Sequence, residues 1–411
     1  MNRYTSAEST GERDFIPFAR PSIGEEEEQA VLEVLRSGWL TTAGRAKEFE
    51  SDFAAYTGAP HALAVNSATG GLHLALEALG ISSGDRVITT PYTFTATAEV
   101  VRYLGAHPLF VDIDPHNMTI DPRQVEKALK DSAGYRPSPT SRGVKAIIPV
   151  HLGGYPCEME ELKGIAAKHD LKVVEDAAHA FPVRTDAGYL GCLSDVGVFS
   201  FYATKTITTG EGGMVVTEDP DIAARIRIMR LHGIDREVWN RYTSNRAAWR
   251  YDVVAPGFKY NMPDMAAALG IVQLRKAEDF LRQRRRIASR YLEAFEGVDF
   301  LKVPANSPSH GWHLFILRLD LEKLSIGRDQ YIQELRNRGI GTSVHYIPLH
   351  LMSYYQRSYN LKPDDFPEAL RAYKEALSLP IYPGLRETEL HRVIDAVLEV
   401  GKKYCRGGQG G

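Results

Sequence analysis

Residues 144–180 read VKAIIPVHLGGYPCEMEELKGIAAKHDLKVVEDAAHA. The stretch opens with an apolar run, passes through a glycine- and proline-bearing turn, continues as MEELKGIAAKHD with apolar residues at helical spacing, and closes on a second apolar run, LKVVE. A strand, a helix and a strand in that order make a crossover unit, whose two strands lie parallel. The alternation extends upstream. ALAV (62–65), DRVITT (85–90) and HPLFVDI (107–113) have strand character, with helical patterns after the first two in NSATGGLHLALEALG and FTATAEVVRYLG. The chain is therefore expected to be an α/β protein with a mainly parallel sheet covered by helices on both faces.

Nearer the N-terminus, PSIGEEEEQAVLEVLRSG (21–38) opens like a helix, with Ser22 and Glu25 at capping-box spacing, acids in the first turn and Gly38 as the stop. From about residue 265 the texture changes to one long helical pattern, DMAAALGIVQLRKAEDFLRQRRRIASRYLEAF, then short strands and a last helix near TELHRVIDAVLEVGKKY. The expected division is a mobile tail at 1–13, a large domain at 14–264, a smaller C-terminal α/β domain at 265–405 and a flexible tail at 406–411.

The chain has 411 residues, 44% of them hydrophobic, enough for two cored domains. Charged residues make up 25% and the formal net charge is −3, so no global positive field draws in nucleic acid or an acidic membrane surface. A small-molecule partner is the expectation. The first fifteen residues hold no signal-peptide core, and no later run of roughly eighteen apolar residues could span a bilayer. The three cysteines, Cys157, Cys192 and Cys405, are widely spaced and odd in number, which fits a reducing compartment. A cytoplasmic protein is expected on these grounds.

In open parallel sheets ligands sit beyond the carboxyl ends of the strands, which makes the residues just after each strand pattern the ones to inspect. NSATGGL follows ALAV and opens a helix with backbone amides free for an anion, although Gly70 and Gly71 equally suit any tight strand-to-helix turn. Phe94, after ITTPYT, could lie flat on a ring or be a core phenylalanine. Asp176 ends KVVE, where a buried carboxylate needs a cationic or hydrogen-bonded partner; a turn or cap role is the alternative. His179 follows and could donate to an oxygen on the same ring. GVFSFYATKTITTGEGGMVV (197–216) sets Ser200 and Lys205 between two apolar runs. Most lysines are solvated, but a desolvated one becomes a nucleophile suited to a Schiff base. An acid for a ring nitrogen, a stacking face, an anion site and a buried amine together are what pyridoxal 5'-phosphate requires.

With those residues in view, the chain from about Phe15 to Tyr404 resembles the DegT/DnrJ/StrS sugar aminotransferases, of aspartate-aminotransferase-like fold (fold type I). The segments that carry the resemblance are PFARPSIGEEE, SGWLTTAGRAKEFE, EDAAHA, FSFYATKTITTGEGG, PGFKYNMPDMAAALGIVQL and GIGTSVHYIPLHLMSYY. They look most like the enzymes that aminate C4 of a nucleotide-linked keto sugar. The resemblance implies that Lys205 bonds the cofactor and later shuttles a proton, that Asp176 holds the ring nitrogen, that Phe94 stacks on the ring and that His179 lies near its phenolic oxygen. It further implies that Thr69, Gly70 and Ser200 bind the phosphate, and that Asn261 reaches the phosphate of a neighbouring subunit in a homodimer with shared sites. L-Glutamate is the implied amino donor. The turn here is SATGG, where many relatives have glycine at Ala68 and alanine at Gly70 and Gly71, and Tyr202 stands where histidine is common.

For a nucleotide-diphosphate keto sugar, the loop HGIDREVWNRYTSNRAAWRYD (232–252) offers arginines, Arg250 among them, beside aromatic rings. Tyr202, His345 and Tyr346 are further substrate candidates. His345 and His350 lack the acidic or cysteine companions of a metal site, and none is expected. Two rival readings are a pyridoxal phosphate sugar dehydratase on the same fold and a regulator that retains the cofactor without turnover. The related dehydratases carry histidine in place of the lysine, and Lys205 is present. A nicotinamide dehydrogenase is disfavoured, because no G-x-G-x-x-G follows a strand pattern.

Overall fold

A computed structural model describes residues 15–131, 142–235 and 251–406. Its strands are His61–Val65 (β1), Arg86–Thr89 (β2), His107–Phe110 (β3), Val144–Ile147 (β4), Lys172–Asp176 (β5), Arg184–Thr185 (β6), Gly188–Tyr189 (β7), Val196–Ser200 (β8) and Gly213–Thr217 (β9). Seven of them form one sheet in the order β1, β9, β8, β5, β4, β2, β3, and the short β6 and β7 pair as a separate hairpin. Strand β9 runs antiparallel to both β1 and β8, and the remaining neighbours are parallel. The crossover read from residues 144–180 is the pair β4 and β5, joined through the helix Met159–Lys168. Val173, Val174, Val196 and Val198 are buried, as apolar strand runs between two helical layers should be.

One face of the sheet packs Val65, Val174, Val198 and Val215 against Leu72 and Leu76 of the helix Ala68–Ala78. The other packs Phe199 and Phe201 against Phe49, Phe53 and Phe181. Gly213, at the start of β9, is required by contact: a Cβ there would lie 2.8 Å from the amide nitrogen of Ala68 and 2.8 Å from the carbonyl oxygen of Phe199. Its hydrogen side chain lets the strand run against the first residue of the helix. The start of that helix is thereby held beside the end of β8.

A second core gathers Tyr291, Phe295, Tyr331 and Val397 on an antiparallel sheet of Leu301–Lys302 (β10), Phe315–Leu319 (β11) and Ala376–Leu379 (β12). The long helical pattern seen in the sequence is two helices, Asp264–Arg275 and Ala277–Phe295, with Lys276 between them. Ala267, Ile271 and Leu274 of the first pack into the core that holds Phe49, whereas Ile287, Tyr291 and Phe295 of the second belong to the core that also takes in Ile16. By packing, the division between cores falls inside Ala277–Phe295, later than the change of texture near residue 265.

One helix start differs from its sequence reading, and a second, not read from the sequence, is capped from far along the chain. The first helix spans Glu25–Ser37, and its cap is the Glu27 carboxylate accepting the Gly24 amide at 2.9 Å, not a Ser22 and Glu25 box; Gly38 ends it in the left-handed region, as read. The helix Gly44–Thr57 has no cap in its own segment. Asp264, distant in sequence, accepts from the amides of Ala43, Arg45 and Ala46 instead. No helix among the described residues is long and apolar enough to cross a membrane.

Candidate active site

A cavity of about 560 Å³ opens beyond the carboxyl ends of β5 and β8 and reaches the second core at Ile381, with His313, Leu314 and Tyr346 also in its wall. Asp176 and Ser200 are the last residues of β5 and β8, so strand geometry alone sets them at the cavity. The chain then turns back toward β9, and the hydroxyl residues beside Lys205 fold that turn. Thr208 donates from its side chain to the carbonyl of Phe201 at 3.1 Å and Thr209 from its own to that of Glu211 at 2.7 Å, while the Lys205 amide donates to the carbonyl of Tyr202 at 2.9 Å. The loop is pinned from outside as well, the Thr208 amide reaching the side-chain oxygen of Gln273.

Lys205 lines the cavity and keeps some surface there, yet protein encloses it densely. Burial pulls its amine down from the usual lysine range to about 8; the Arg284 cation adds to the fall, and the Asp176 carboxylate opposes it. Asp176 is 5% exposed. Its carboxylate accepts from the Thr97 hydroxyl at 2.8 Å and the Ala178 amide at 3.2 Å. Burial raises its pKa, and these two donors and Lys205 work against the rise.

The imidazoles around the cavity are neutral near pH 7. Burial holds His179 and His313 well below the ordinary histidine value, and it pulls His345 down to about 4. His179 accepts at Nδ1 from the Gly153 amide at 3.2 Å and stands 3.0 Å from the Tyr346 hydroxyl through Nε2. His345 pairs through Nδ1 with the Ser378 hydroxyl at 2.8 Å. Phe94 is 57% exposed at the cavity rather than part of a core, and its ring lies 6.0 Å from that of Tyr346.

The structure thus brings Thr69, Phe94, Asp176, His179, Ser200, Tyr202, Lys205, His345 and Tyr346 to one cavity. Gly70 lies one residue behind its wall, with its amide donating to the Ser67 side chain at 3.0 Å. Asn261 is elsewhere, bonded through its side chain to Thr42 and Lys259. Arg250 lies outside the described residues, with most of the 232–252 loop. Sequence reasoning missed His313, whose ring packs 4.6 Å from His179 and whose Nδ1 has no partner among the described residues. It also missed Arg284, 2% exposed, which donates to the carbonyls of Trp312, His313 and Ile381. Among the described residues no group of three or more His, Cys, Asp or Glu could hold a metal ion.

The donor set fits pyridoxal phosphate: a helix N-terminus for the phosphate, a buried carboxylate for a ring nitrogen, an accessible aromatic face and an amine of lowered pKa. Comparison with known proteins decides the family. The profile of the DegT/DnrJ/EryC1/StrS aminotransferase family matches residues 21–398. The chain belongs to that family. This aminotransferase is 44% identical over 391 residues to the spore coat polysaccharide biosynthesis protein SpsC of Bacillus subtilis, covering 94% of this chain and 97% of that one. Spr1654 of Streptococcus pneumoniae, described as a candidate sugar aminotransferase and solved in its PMP-form, superposes with a TM-score of 0.86 at 32% identity, over 94% of this chain and 99% of that one. PseC of Helicobacter pylori, an aminotransferase involved in the biosynthesis of pseudoaminic acid, gives 0.84 at 28% identity, over 95% and 100%. The fold is that of the fold type I enzymes, and the protein is a pyridoxal-phosphate-dependent aminotransferase.

Proposed function

We propose that this aminotransferase moves nitrogen from L-glutamate to C4 of a nucleotide-linked keto sugar, releasing 2-oxoglutarate and a 4-amino sugar nucleotide. The observation that carries the reading is the Lys205 amine of lowered pKa with the Asp176 carboxylate at one cavity, in a chain similar to sugar aminotransferases over nearly its whole length. The cavity volume lies within the ~300–1,000 Å³ of small-molecule sites.

When bound, pyridoxal phosphate supplies a sink for the electron pair left at a substrate carbon as its proton departs. Lys205 would hold the cofactor covalently, and its amine, once freed, would carry that proton. Asp176 would hold the ring nitrogen, and Phe94 would offer a flat face. Ser67, Thr69 and Ser200 would hold the phosphate beside the start of the helix Ala68–Ala78, with Gly70 behind them. Tyr202, His345 and Tyr346 meet the sugar, Arg250 its diphosphate. Asn261, absent from its own chain's cavity wall, serves the site of a second copy in a homodimer.

The pH dependence of cofactor capture follows from the Lys205 amine. Only the unprotonated form attacks an aldehyde, and its fraction falls about tenfold per pH unit below the midpoint near 8. Uptake of pyridoxal phosphate by the cofactor-free protein, followed by stopped-flow absorbance, is expected to speed up from pH 6 and level off above about 8. A rate flat across that range would place the attacking amine elsewhere.

The substrate assignment is tested with a panel of uridine, guanosine and thymidine diphosphate 3-keto and 4-keto sugars, each with glutamate and with 2-oxoglutarate as the readout. Turnover confined to 4-keto members is the expected result; turnover confined to 3-keto members overturns the regiochemistry, and none at all overturns the sugar nucleotide.

A further inference from the structure

Directly behind Asp176 lies a polar cluster that the chemistry above does not use. His151 and Glu175 are both 0% exposed, joined by a 3.0 Å contact between Nε2 and Oε2. The Cys157 amide donates to His151 Nδ1 at 3.1 Å, which makes that nitrogen an acceptor and leaves the ring proton on Nε2, donated to Glu175. Burial pulls this imidazole down while Cys157 and Glu175 push it up, to about 10, but a second proton on Nδ1 would meet the Cys157 N–H, so the ring keeps one. Glu175 also accepts from the amides of Gly191 and Leu193 at 2.8 and 2.7 Å and from the Ser194 hydroxyl at 2.9 Å. Its two oxygens therefore take four donors, a fully satisfied buried network.

The cluster fixes the chain that follows β4. The His151 amide donates to the Asp176 carbonyl at 3.2 Å, and the His151 carbonyl accepts from Gly154 at 3.0 Å, closing the single turn Leu152–Gly154. Within that turn Gly153 has φ 63°, in the left-handed region. Its amide donates to Nδ1 of His179. A neutral ring with an acceptor at Nδ1 carries its proton on Nε2, facing the Tyr346 hydroxyl oxygen. That oxygen then accepts from histidine, and its own hydrogen is left to donate. Burial pushes the Tyr346 hydroxyl well above its ordinary pKa, so the hydrogen stays in place.

We propose that His151 and Glu175 are positioning residues for His179: by locking the Leu152–Gly154 turn they set the His179 proton on Nε2, which makes Tyr346 a hydrogen-bond donor to an oxygen of the ligand bound in the cavity. The step from Tyr346 to ligand rests on the sugar aminotransferase reading; the tautomer of His179 does not.

The test uses the full-length protein labelled with 15N-histidine, the His179 signal being assigned with His179→Gln. Long-range proton–nitrogen correlation in the unmutated protein is expected to show the proton on Nε2; a proton on Nδ1 overturns the proposal without any variant. His151→Gln keeps a donor for Glu175 and is expected to retain that tautomer. His151→Leu is expected to give a mixture of both, and to raise KM for the keto sugar by about tenfold, the worth of one hydrogen bond, with kcat changed less. Glu175→Gln, of unchanged shape, places an amide donor against donors already there and is expected to act like His151→Leu; it takes that variant's place if leucine prevents folding. A folded His151→Leu or Glu175→Gln protein with the original single tautomer overturns the proposal. Failure of every sugar nucleotide, with the tautomers as expected, overturns the substrate reading alone.

Discussion

Lys205→Ala is expected to lower glutamate-dependent transamination by about 10⁴-fold or more, the largest effect of any single substitution in the site. On the proposed reading the side chain has two duties there, covalent attachment and proton transfer, and a positioned proton carrier alone is worth about 10²–10⁴ in rate. A loss of 10⁴ corresponds to about 5 kcal/mol of barrier. The other residues proposed to hold the cofactor are untouched by the change, so the variant should still bind pyridoxal phosphate, without covalent attachment. Borohydride followed by peptide mapping separates the two cases: reduction should fix the cofactor to the Lys205 peptide of the unmutated protein and to no peptide of the variant. Normal turnover by Lys205→Ala would remove the central assignment.

Lys205 is legible in the sequence through its setting between two apolar runs, which are β8 and β9. Strand patterns put Asp176 and Ser200 at strand ends, and in a parallel sheet strand ends share one edge, so local pattern is enough to bring them together. Phe94 is not legible in the same way. An aromatic after a strand serves a core or a cavity equally well, and only its 57% exposure separates the two.

Residues that act across the fold leave weaker traces. Arg284 sits in the charged run RQRRRIASRY, which reads as a solvated face, yet it falls in phase with the buried stripe of Phe280, Leu281, Ile287, Ala288 and Tyr291. That phase is an available signal. His313 has none, since its contact with His179 joins the two cores. Asp264 looks like part of a local turn, whereas its carboxylate caps the helix Gly44–Thr57 from more than two hundred residues away. Long-range partners of this kind leave no periodicity in a sequence.

Asp176→Asn is the second large expected effect, on the order of 10³-fold in turnover, or about 4 kcal/mol of barrier. The substitution keeps the shape and most of the bonding. The asparagine oxygen still accepts from the Ala178 amide, and the Thr97 hydroxyl, also bonded to the Thr93 hydroxyl at 2.8 Å, can rotate to accept from the new amide. What disappears is the negative charge, and with it, on the proposed reading, the means of keeping a ring nitrogen protonated. Cofactor capture should respond in the opposite sense. Asp176 holds the Lys205 amine up against the downward pull of burial, so removing the charge shifts the midpoint of capture below about 8 and makes capture faster at pH 7. A general loss of structure would slow capture and turnover together. Faster capture with slower turnover therefore isolates the charge, and a variant unchanged in both would show that Asp176 serves the β5 turn and not the ring.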